Sequence, residues 1–218
     1  MRAIVFDMDG LLIDSEKLYW QVGHEMAREF GKTLSDTTLG KMMGRSPLKS
    51  VEIYAQDLGL TQSPEELLEL REARVKALLE KGVDPMPGAI DVLKQFKTRY
   101  SLAIATSAPM YLVDIVMRVL DIRKYFAAIQ TSDDVTNGKP DPEIYLKAMG
   151  RLGVPPAECA VLEDSSNGSL AGKRSGAYTI AVPSQYTRDQ DFSFVDYVAA
   201  NLLDAARHIA VKDQWAPL

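Results

Sequence analysis

One stretch decides the fold of this chain, residues Arg2–Gly10, which read RAIVFDMDG. Its first part, Arg2–Phe6, is short, mostly apolar and partly β-branched, and this composition predicts a buried strand. Asp7 and Asp9 then end the strand, at the place where open parallel sheets bind their ligands. Two carboxylates so close together repel each other, and a divalent cation bound between them would relieve that repulsion. The competing interpretation is a solvated turn after a strand.

Strands and helices alternate along much of the remaining chain. Further strand-like runs are short and continuously apolar: Leu102–Ala105, Ala128–Gln130, Ala160–Leu162 and Thr179–Val182. Periodic segments of helix length lie between the runs: Ala89–Tyr100, Met110–Leu120, Glu143–Leu152 and Gly168–Gly176. This alternation predicts an α/β fold, with a Rossmann-like parallel sheet whose two faces are covered by helices.

The stretch from about Ser15 to Gly82 interrupts the alternation, because it contains no convincing strand. It predicts amphipathic helices instead: Glu16–Phe30, Leu34–Met43, Leu48–Leu58 and Pro64–Glu80. Ser63 and Pro64, followed by two acids, are typical of a helix start. We therefore expect a discontinuous core domain of residues 1–14 and 83–218, with an all-helical cap domain of residues 15–82 inserted after the first strand.

A second acidic pair follows the fourth strand-like run. Parallel strands end at the same edge of a sheet, so Glu163 and Asp164 are expected close to Asp7 and Asp9. Four acids at one edge are unfavourable without a counter-charge, and a magnesium ion would supply part of it. Taken without the first pair, these two acids are equally compatible with a polar loop.

A lysine and two hydroxyl residues are expected at the same edge. Lys139 lies after the third run, in a turn between Gly138 and Pro140, and its ammonium could bridge a nucleophile and a phosphate. Thr106 and Ser107 end the second run just before a helix, where free backbone amides bind anions. Singly, such a lysine is usually solvated and such a threonine usually caps a helix, but their convergence favours an anion site.

The bulk composition narrows the classes of partner. The chain has 218 residues, a formal net charge of −5 and a pI of about 5.2, which argues against an electrostatically held nucleic acid. Cys159 is the only cysteine, so an internal disulfide is excluded. No stretch is apolar over the ~20 residues that a membrane-spanning helix needs, and no signal-peptide pattern is present. The default expectation is a cytoplasmic monomer away from membranes.

Four short motifs, in their order along the chain, resemble those of the haloacid dehalogenase superfamily: Asp7-Met8-Asp9-Gly10, Thr106, Lys139 and Glu163-Asp164. The predicted helical insert resembles the cap of the first subfamily, which contains β-phosphoglucomutase and many sugar-phosphate phosphatases. Three longer stretches are close to that group's usual sequence: Gly10–Glu16, Gly138–Pro142 and Leu162–Gly168. The resemblance covers nearly the whole chain, and the combination of motifs is highly specific.

The resemblance implies phosphoryl transfer from a small phosphorylated metabolite. Asp7 would attack phosphorus and form an aspartyl phosphate. Asp9 would protonate the leaving oxygen and then deprotonate the water that hydrolyses the intermediate. True dehalogenases lack this second aspartate, so dehalogenation is disfavoured.

The resemblance also implies the ligands of a magnesium ion and of the phosphate. Magnesium would be held by Asp7, the backbone carbonyl of Asp9 and Asp164, with Glu163 close by or bound through water. The phosphate would be held by Thr106, the amide of Ser107 and Lys139, whose charge would also stabilise the transfer.

The cap is expected to select the substrate. Its expected gate residues are Leu12, Tyr19 and Arg45, with Trp20 as a further candidate. Three other basic residues of the cap are expected on a solvated helix face: Arg71, Arg74 and Lys76. Hinges near Ile13–Glu16 and Val83–Pro87 would let the cap close and exclude bulk water.

Two alternatives to a phosphatase remain open. β-Phosphoglucomutase has a cap histidine near its proton shuttle and a cap-loop arginine that grips a second phosphate. At the corresponding spacings this chain has Tyr19 and Pro47, although Arg45 and Lys49 are close to the second position. These departures favour a phosphatase over a mutase. The other alternative is a non-catalytic protein that binds phosphate ligands.

Overall fold

Six strands form one parallel sheet in the computed structural model, which describes residues 1–42 and 45–214. The strands are β1 Ala3–Phe6, β2 Ser101–Ala105, β3 Ala128–Gln130, β4 Cys159–Glu163, β5 Tyr178–Ala181 and β6 Tyr197–Val198. Their order is β3-β2-β1-β4-β5-β6, and every neighbouring pair is parallel. The predicted α/β fold with a parallel sheet is confirmed.

Alternate residues of β1 enter different hydrophobic clusters on the two faces of the sheet. Ile4 and Phe6 belong to the larger cluster, whereas Ala3 and Val5 belong to the smaller one. Because successive side chains of a strand point to opposite faces, a continuously apolar strand needs cover on both sides. Of the described helices that follow residue 82, three contribute to the larger cluster: α5 Ala89–Lys97, α6 Met110–Val119 and α9 Leu202–Lys212. Two contribute to the smaller: α7 Glu143–Leu152 and α8 Ser166–Arg174.

Four helices lie between β1 and α5 in the described residues, as the sequence predicts. They are α1 Ser15–Glu29, α2 Asp36–Met42, α3 Pro47–Leu58 and α4 Pro64–Lys81. The start of α4 carries a capping box, in which the Ser63 hydroxyl accepts from the Glu66 amide and the Glu66 carboxylate accepts from the Ser63 amide. Helix α4 packs against α1, α3 and the sheet helix α6. The division into a core domain and a cap domain stays a prediction.

The two segments that connect the helical insert to the sheet run side by side. The amide of Asp14 donates to the Asp84 carbonyl at 3.0 Å, and the amide of Met86 donates to the Leu12 carbonyl at 2.9 Å. Both segments fall on the predicted hinges, so any rotation of the insert would pass through this hydrogen-bonded pair. The hinge role itself stays a prediction.

The structure differs from the predicted elements at the end of α5 and in the last part of the chain. Helix α5 ends at Lys97 rather than Tyr100, because the chain must turn before Ser101 pairs with Ala3 in the sheet. Strand β6 and helix α9 are not predicted from the sequence. Met43, at the end of a predicted helix, lies outside the described residues. Within residues 1–42 and 45–214, no helix combines the length and the apolar character needed to cross a bilayer.

Candidate active site

The turn after β1 places Asp7 at the carboxyl edge of the sheet. Its amide still donates to the Leu162 carbonyl at 3.0 Å, so the aspartate continues the ladder between β1 and β4. Gly10 ends the turn with a φ of +73°, and a Cβ there would lie 2.5 Å from an Asp164 carboxylate oxygen. A glycine is therefore required at this position by both backbone conformation and space.

Lys139 is the positive centre of the site. Its ammonium donates to Asp7 Oδ1 at 2.5 Å, to Glu163 Oε1 at 2.8 Å and to the Ala105 carbonyl at 3.1 Å. All three donors of the ammonium are thus used. The ammonium also lies 4.9 Å from the centre of the Tyr145 ring, a cation–π contact beneath it. The structure brings together the end of β1, the end of β4 and the loop before α7.

The Glu163 carboxylate is held at both oxygens. Besides Lys139, Oε1 accepts from the Tyr145 hydroxyl at 3.3 Å. Oε2 accepts from the Ser165 amide at 2.7 Å and from its hydroxyl at 2.9 Å. A Cβ on Gly168 would lie only 1.6 Å from Oε1, so the glycine makes room for the carboxylate at the start of α8.

Three buried carboxylates could hold a metal ion. One oxygen from each of Asp7, Glu163 and Asp164 lies within 4.8 Å of the others. Such hard oxygen donors suit Mg²⁺, and one ammonium balances only part of their charge. Asp9 is also predicted as a ligand, but its carboxylate does not belong to this group of oxygens.

The pKa values of the site residues report this excess of negative charge. Burial raises the pKa of Asp7 to about 8, and Glu163 and Asp9 add to the shift while Lys139 opposes it. Burial, with the charges of Glu163 and Asp7, raises the pKa of Asp164 well above its usual range. Burial disfavours the Lys139 ammonium, but the carboxylates of Asp7 and Glu163 outweigh it and raise its pKa. A divalent cation would relieve the repulsion among the acids.

Asp9 is paired with Thr106 rather than with the acidic cluster. The Thr106 hydroxyl donates to Asp9 Oδ2 at 3.1 Å and accepts from the Ala108 amide at 3.1 Å. Burial raises the pKa of Asp9, and the hydrogen bond from Thr106 opposes that rise. Thr106 is fully buried, whereas its neighbour Ser107 lines the cavity described next.

A cavity of about 390 Å³ lies between the sheet edge and the helical insert. Asp7, Asp9 and Lys139 line its sheet side. On the insert side it is lined by Tyr19, Trp20, Arg45, Arg71 and Glu72, among others. Its volume is within the usual range for small-molecule sites. A small molecule bound in this cavity could therefore contact both the acidic residues of the sheet edge and side chains of the insert.

The comparison with known families agrees with this architecture. The profile of the haloacid dehalogenase-like hydrolases matches residues 4–182. The chain belongs to this family. It is 36% identical over 177 residues, 81% of the chain and 82% of the relative, to a phosphorylated carbohydrates phosphatase of Thermotoga maritima. It is 31% identical to hexitol phosphatase B of Escherichia coli, with 93% of each covered.

A solved structure extends the comparison. CbbY of Rhodobacter sphaeroides, in complex with phosphate, superposes with a TM-score of 0.79 at 27% identity, over 92% of this chain and 94% of that one. Together with the named phosphatases, this identifies the chain as a phosphoric monoester hydrolase of the haloacid dehalogenase-like family. The predicted family and enzyme class are confirmed.

Leu12, predicted as a gate residue, does not line the cavity of this haloacid dehalogenase-like enzyme. Its side chain is 1% exposed and packs in the core, away from the cavity lining. The reason is the tight turn after Gly10, in which the Leu12 amide donates to the Met8 carbonyl. The cavity is lined by the other three candidates, Tyr19, Arg45 and Trp20. The ring centre of Trp20 also lies 5.2 Å from that of Tyr186.

The prediction of a solvated face is wrong for Arg71. Its side chain is 9% exposed and lines the cavity, while Lys76 is exposed and Arg74 pairs with Glu29 at 2.6 Å. The signal was present in the sequence. Arg71 lies four residues from both Leu67 and Val75, which are buried on the same face of α4.

Sequence reasoning missed two further residues of the site. Tyr145 is fully buried on α7. The sequence gives no signal of its contact with Lys139 and Glu163, because its position in the helix pattern fits an ordinary core residue equally well. Glu16 lines the cavity, and its carboxylate accepts from the Ser184 hydroxyl at 3.1 Å. Burial raises the pKa of Glu16 to about 7. Its position at the end of Gly10–Glu16, a stretch that resembles the usual sequence of the family, is a signal that could have found it.

Proposed function

We propose that this protein is a magnesium-dependent phosphatase of small phosphorylated metabolites, in particular sugar phosphates, and that it works through an aspartyl phosphate on Asp7. One observation carries the proposal. Asp7 lines the floor of the cavity while its carboxylate is paired with Lys139 and grouped with Glu163 and Asp164. A buried carboxylate facing a ligand space, beside an ammonium, is placed to act as a nucleophile.

The proposed reaction has two balanced steps. An Asp7 carboxylate oxygen bonds to phosphorus as the ester P–O bond breaks, and Asp9 gives its proton to the departing alkoxide oxygen. Water then attacks phosphorus, Asp9 takes a proton from it, and the Asp7–phosphorus bond breaks to release inorganic phosphate. Burial raises the pKa of Asp9, and a shift in that direction favours the acid role.

The residues of the cluster fit a magnesium ion. Asp7, Asp164 and the backbone carbonyl of Asp9 would hold it, with Glu163 close by or bound through water. When bound, the ion neutralises negative charge on the acids and on the phosphoryl group. Glu163 is already saturated by Lys139 and Ser165, so we assign it mainly to positioning the lysine.

The phosphate would lie between Lys139 and Ser107. Lys139 contributes a fixed positive charge beside the nucleophile, and Ser107 lines the cavity just before α6. The Thr106 hydroxyl is engaged with Asp9. We therefore propose that Thr106 orients the acid as well as supporting the phosphate loop.

A sugar phosphate is the proposed class of substrate. Two of the relatives are named for phosphorylated carbohydrates and for hexitols, and a cavity of about 390 Å³ suits a molecule of that size. The mutase alternative keeps one supporting observation, which is that Arg45 lines the cavity and could hold a second phosphate. A cytoplasmic location and a monomeric state stay predictions.

A direct test uses p-nitrophenyl phosphate with and without Mg²⁺. The wild-type protein should release phosphate only with the metal, and Asp7→Asn should abolish that release. Asp91→Asn is a matched control, because Asp91 is exposed on α5 with only a 4.0 Å pair to Lys94. No release from this probe or from a panel of phosphorylated sugars would favour a binding protein. Conversion of β-glucose 1-phosphate to glucose 6-phosphate without free phosphate would favour the mutase.

A further inference from the structure

Arg71 is a buried cation that forms no ion pair with a carboxylate among the described residues, although the charge of Glu72 acts on it from a greater distance. It lies on α4, and its side chain is 9% exposed. Among the described residues, its guanidinium donates to two neutral acceptors, the Ser50 hydroxyl at 3.1 Å and the Pro47 carbonyl at 3.2 Å. In the part of the chain that the structure describes, no carboxylate lies within 4.0 Å of it. Burying a charge without an opposite charge is unfavourable, so such a group usually has a ligand to bind.

The guanidinium has donors left for a ligand. Of its five N–H groups, the bonds to Ser50 and Pro47 use two. The Nε atom of Arg71 is fully buried, and no atom of the described residues 1–42 and 45–214 forms a hydrogen bond with it. A planar fork with free donors matches the paired oxygens of a carboxylate or a phosphate.

Arg71 faces the same cavity as the catalytic cluster, and Tyr19 links the two. The guanidinium carbon lies 5.7 Å from the centre of the Tyr19 ring. Burial raises the pKa of Tyr19; the charge of Asp9 raises it further, and that of Arg71 lowers it. Both charged groups thus act electrostatically on this one side chain, Asp9 from the sheet edge and Arg71 from the insert. Both also line the cavity.

We propose that Arg71 binds a second anionic group of the substrate, a carboxylate or a phosphate, at the end remote from the phosphate that is cleaved. The proposal rests on the proposed phosphatase function and adds a substrate class to it. Glu72 also lines the cavity, but its carboxylate accepts from the Tyr111 hydroxyl at 3.0 Å. That acid is thus engaged with α6. Arg45, exposed at the cavity, adds a second positive charge on the insert side.

The test compares three linear six-carbon probes that differ only at the remote carbon. Glucitol 6-phosphate ends in a neutral hydroxyl, 6-phosphogluconate in a carboxylate and glucitol 1,6-bisphosphate in a phosphate. The wild-type protein should favour at least one anionic probe over the neutral one by about tenfold or more in kcat/KM, mainly through KM, because a hydrogen bond between charged groups is strong. The preferred anion identifies whether a carboxylate or a phosphate is read.

Variants assign the preference to Arg71. Arg71→Gln removes the charge and keeps a polar side chain with an N–H donor, so it should bring kcat/KM for the three probes to within about threefold. Arg74→Gln is the matched control on the same helix, since Arg74 pairs with Glu29 away from the cavity, and it should keep the wild-type preference. Arg71→Lys should keep part of the preference, and it serves if the glutamine variant does not fold.

Several outcomes overturn the proposal. It fails if the wild-type protein hydrolyses all three probes equally well, if Arg71→Gln retains the preference, or if that variant weakens all three to the same extent, as a structural role would. Calorimetric binding of the same probes to the Asp7→Asn protein makes the comparison without turnover. Loss of all phosphatase activity with anion-selective binding intact would therefore refute the proposed function and leave the role of Arg71 standing.

Discussion

Replacing Gly168 with alanine should destabilise the protein, although the same change usually stabilises a helix. Alanine inside a helix is favoured over glycine by about 0.5–1 kcal/mol. Gly168, however, lies in the first turn of α8, and its added Cβ would be 1.6 Å from Glu163 Oε1. Ordinary contact begins at 3.4 Å, so the two atoms must separate by about 1.8 Å.

The magnitude follows from what that movement breaks. Glu163 accepts from Lys139 and Tyr145 at one oxygen and from Ser165 at the other. A hydrogen bond to a charged group contributes about 1.5–3 kcal/mol, and a shift of this size cannot keep all of them. We expect Gly168→Ala to lower the free energy of unfolding by about 3 kcal/mol or more, after the helix gain is subtracted. Because Lys139 loses one of its two anionic partners, kcat should fall by about tenfold or more.

Urea unfolding followed by circular dichroism measures the effect on stability. Gly150→Ala is the matched control, because Gly150 lies within α7 and a Cβ there meets nothing within 4 Å. The control should gain up to about 1 kcal/mol. In a Glu163→Ala background the clash disappears, so Gly168→Ala should cost far less there than in the wild type. Equal stability of Gly168→Ala and wild type, or full additivity with Glu163→Ala, would refute the reasoning.

Three further outcomes are expected. Tyr145→Phe removes the hydroxyl that donates to Glu163 at 3.3 Å, so it should cost about 1 kcal/mol of stability and lower kcat more than KM; an unchanged kcat would argue against a positioning role. The bonds from Lys147 and the Asn137 amide lower the pKa of Glu143 from 4.5 to about 2. The contribution of Glu143 to stability is therefore complete above pH 4.5 and is lost as the pH falls toward 2. In the Glu143→Gln variant, the urea midpoint should depend less on pH across that window. Finally, EDTA should abolish phosphatase activity and excess Mg²⁺ should raise the melting temperature of the wild type; a metal-independent melting temperature would contradict the metal site.

Much of the fold was predictable because its signals are local. Strands β1 to β5 are continuous apolar runs bounded by polar residues, and the start of α4 is a capping box within four residues of sequence. Helix α9 also has a local signal, since Asn201 caps it and Leu202, Ala205 and Ile209 are buried on one face. Strand β6 has only two residues, which is too short for a hydrophobic period to show.

The sequence by itself determined the order of the elements and the polar residues that end each strand, because parallel strands bring their carboxyl ends to one edge. Only the tertiary structure decided what those side chains contact. The side chain of Leu12 lies in the core, the Thr106 hydroxyl donates to Asp9, and Arg71 lines the cavity. Periodicity defines which residues share a face of a helix, but the packing of segments distant in the chain defines what that face meets.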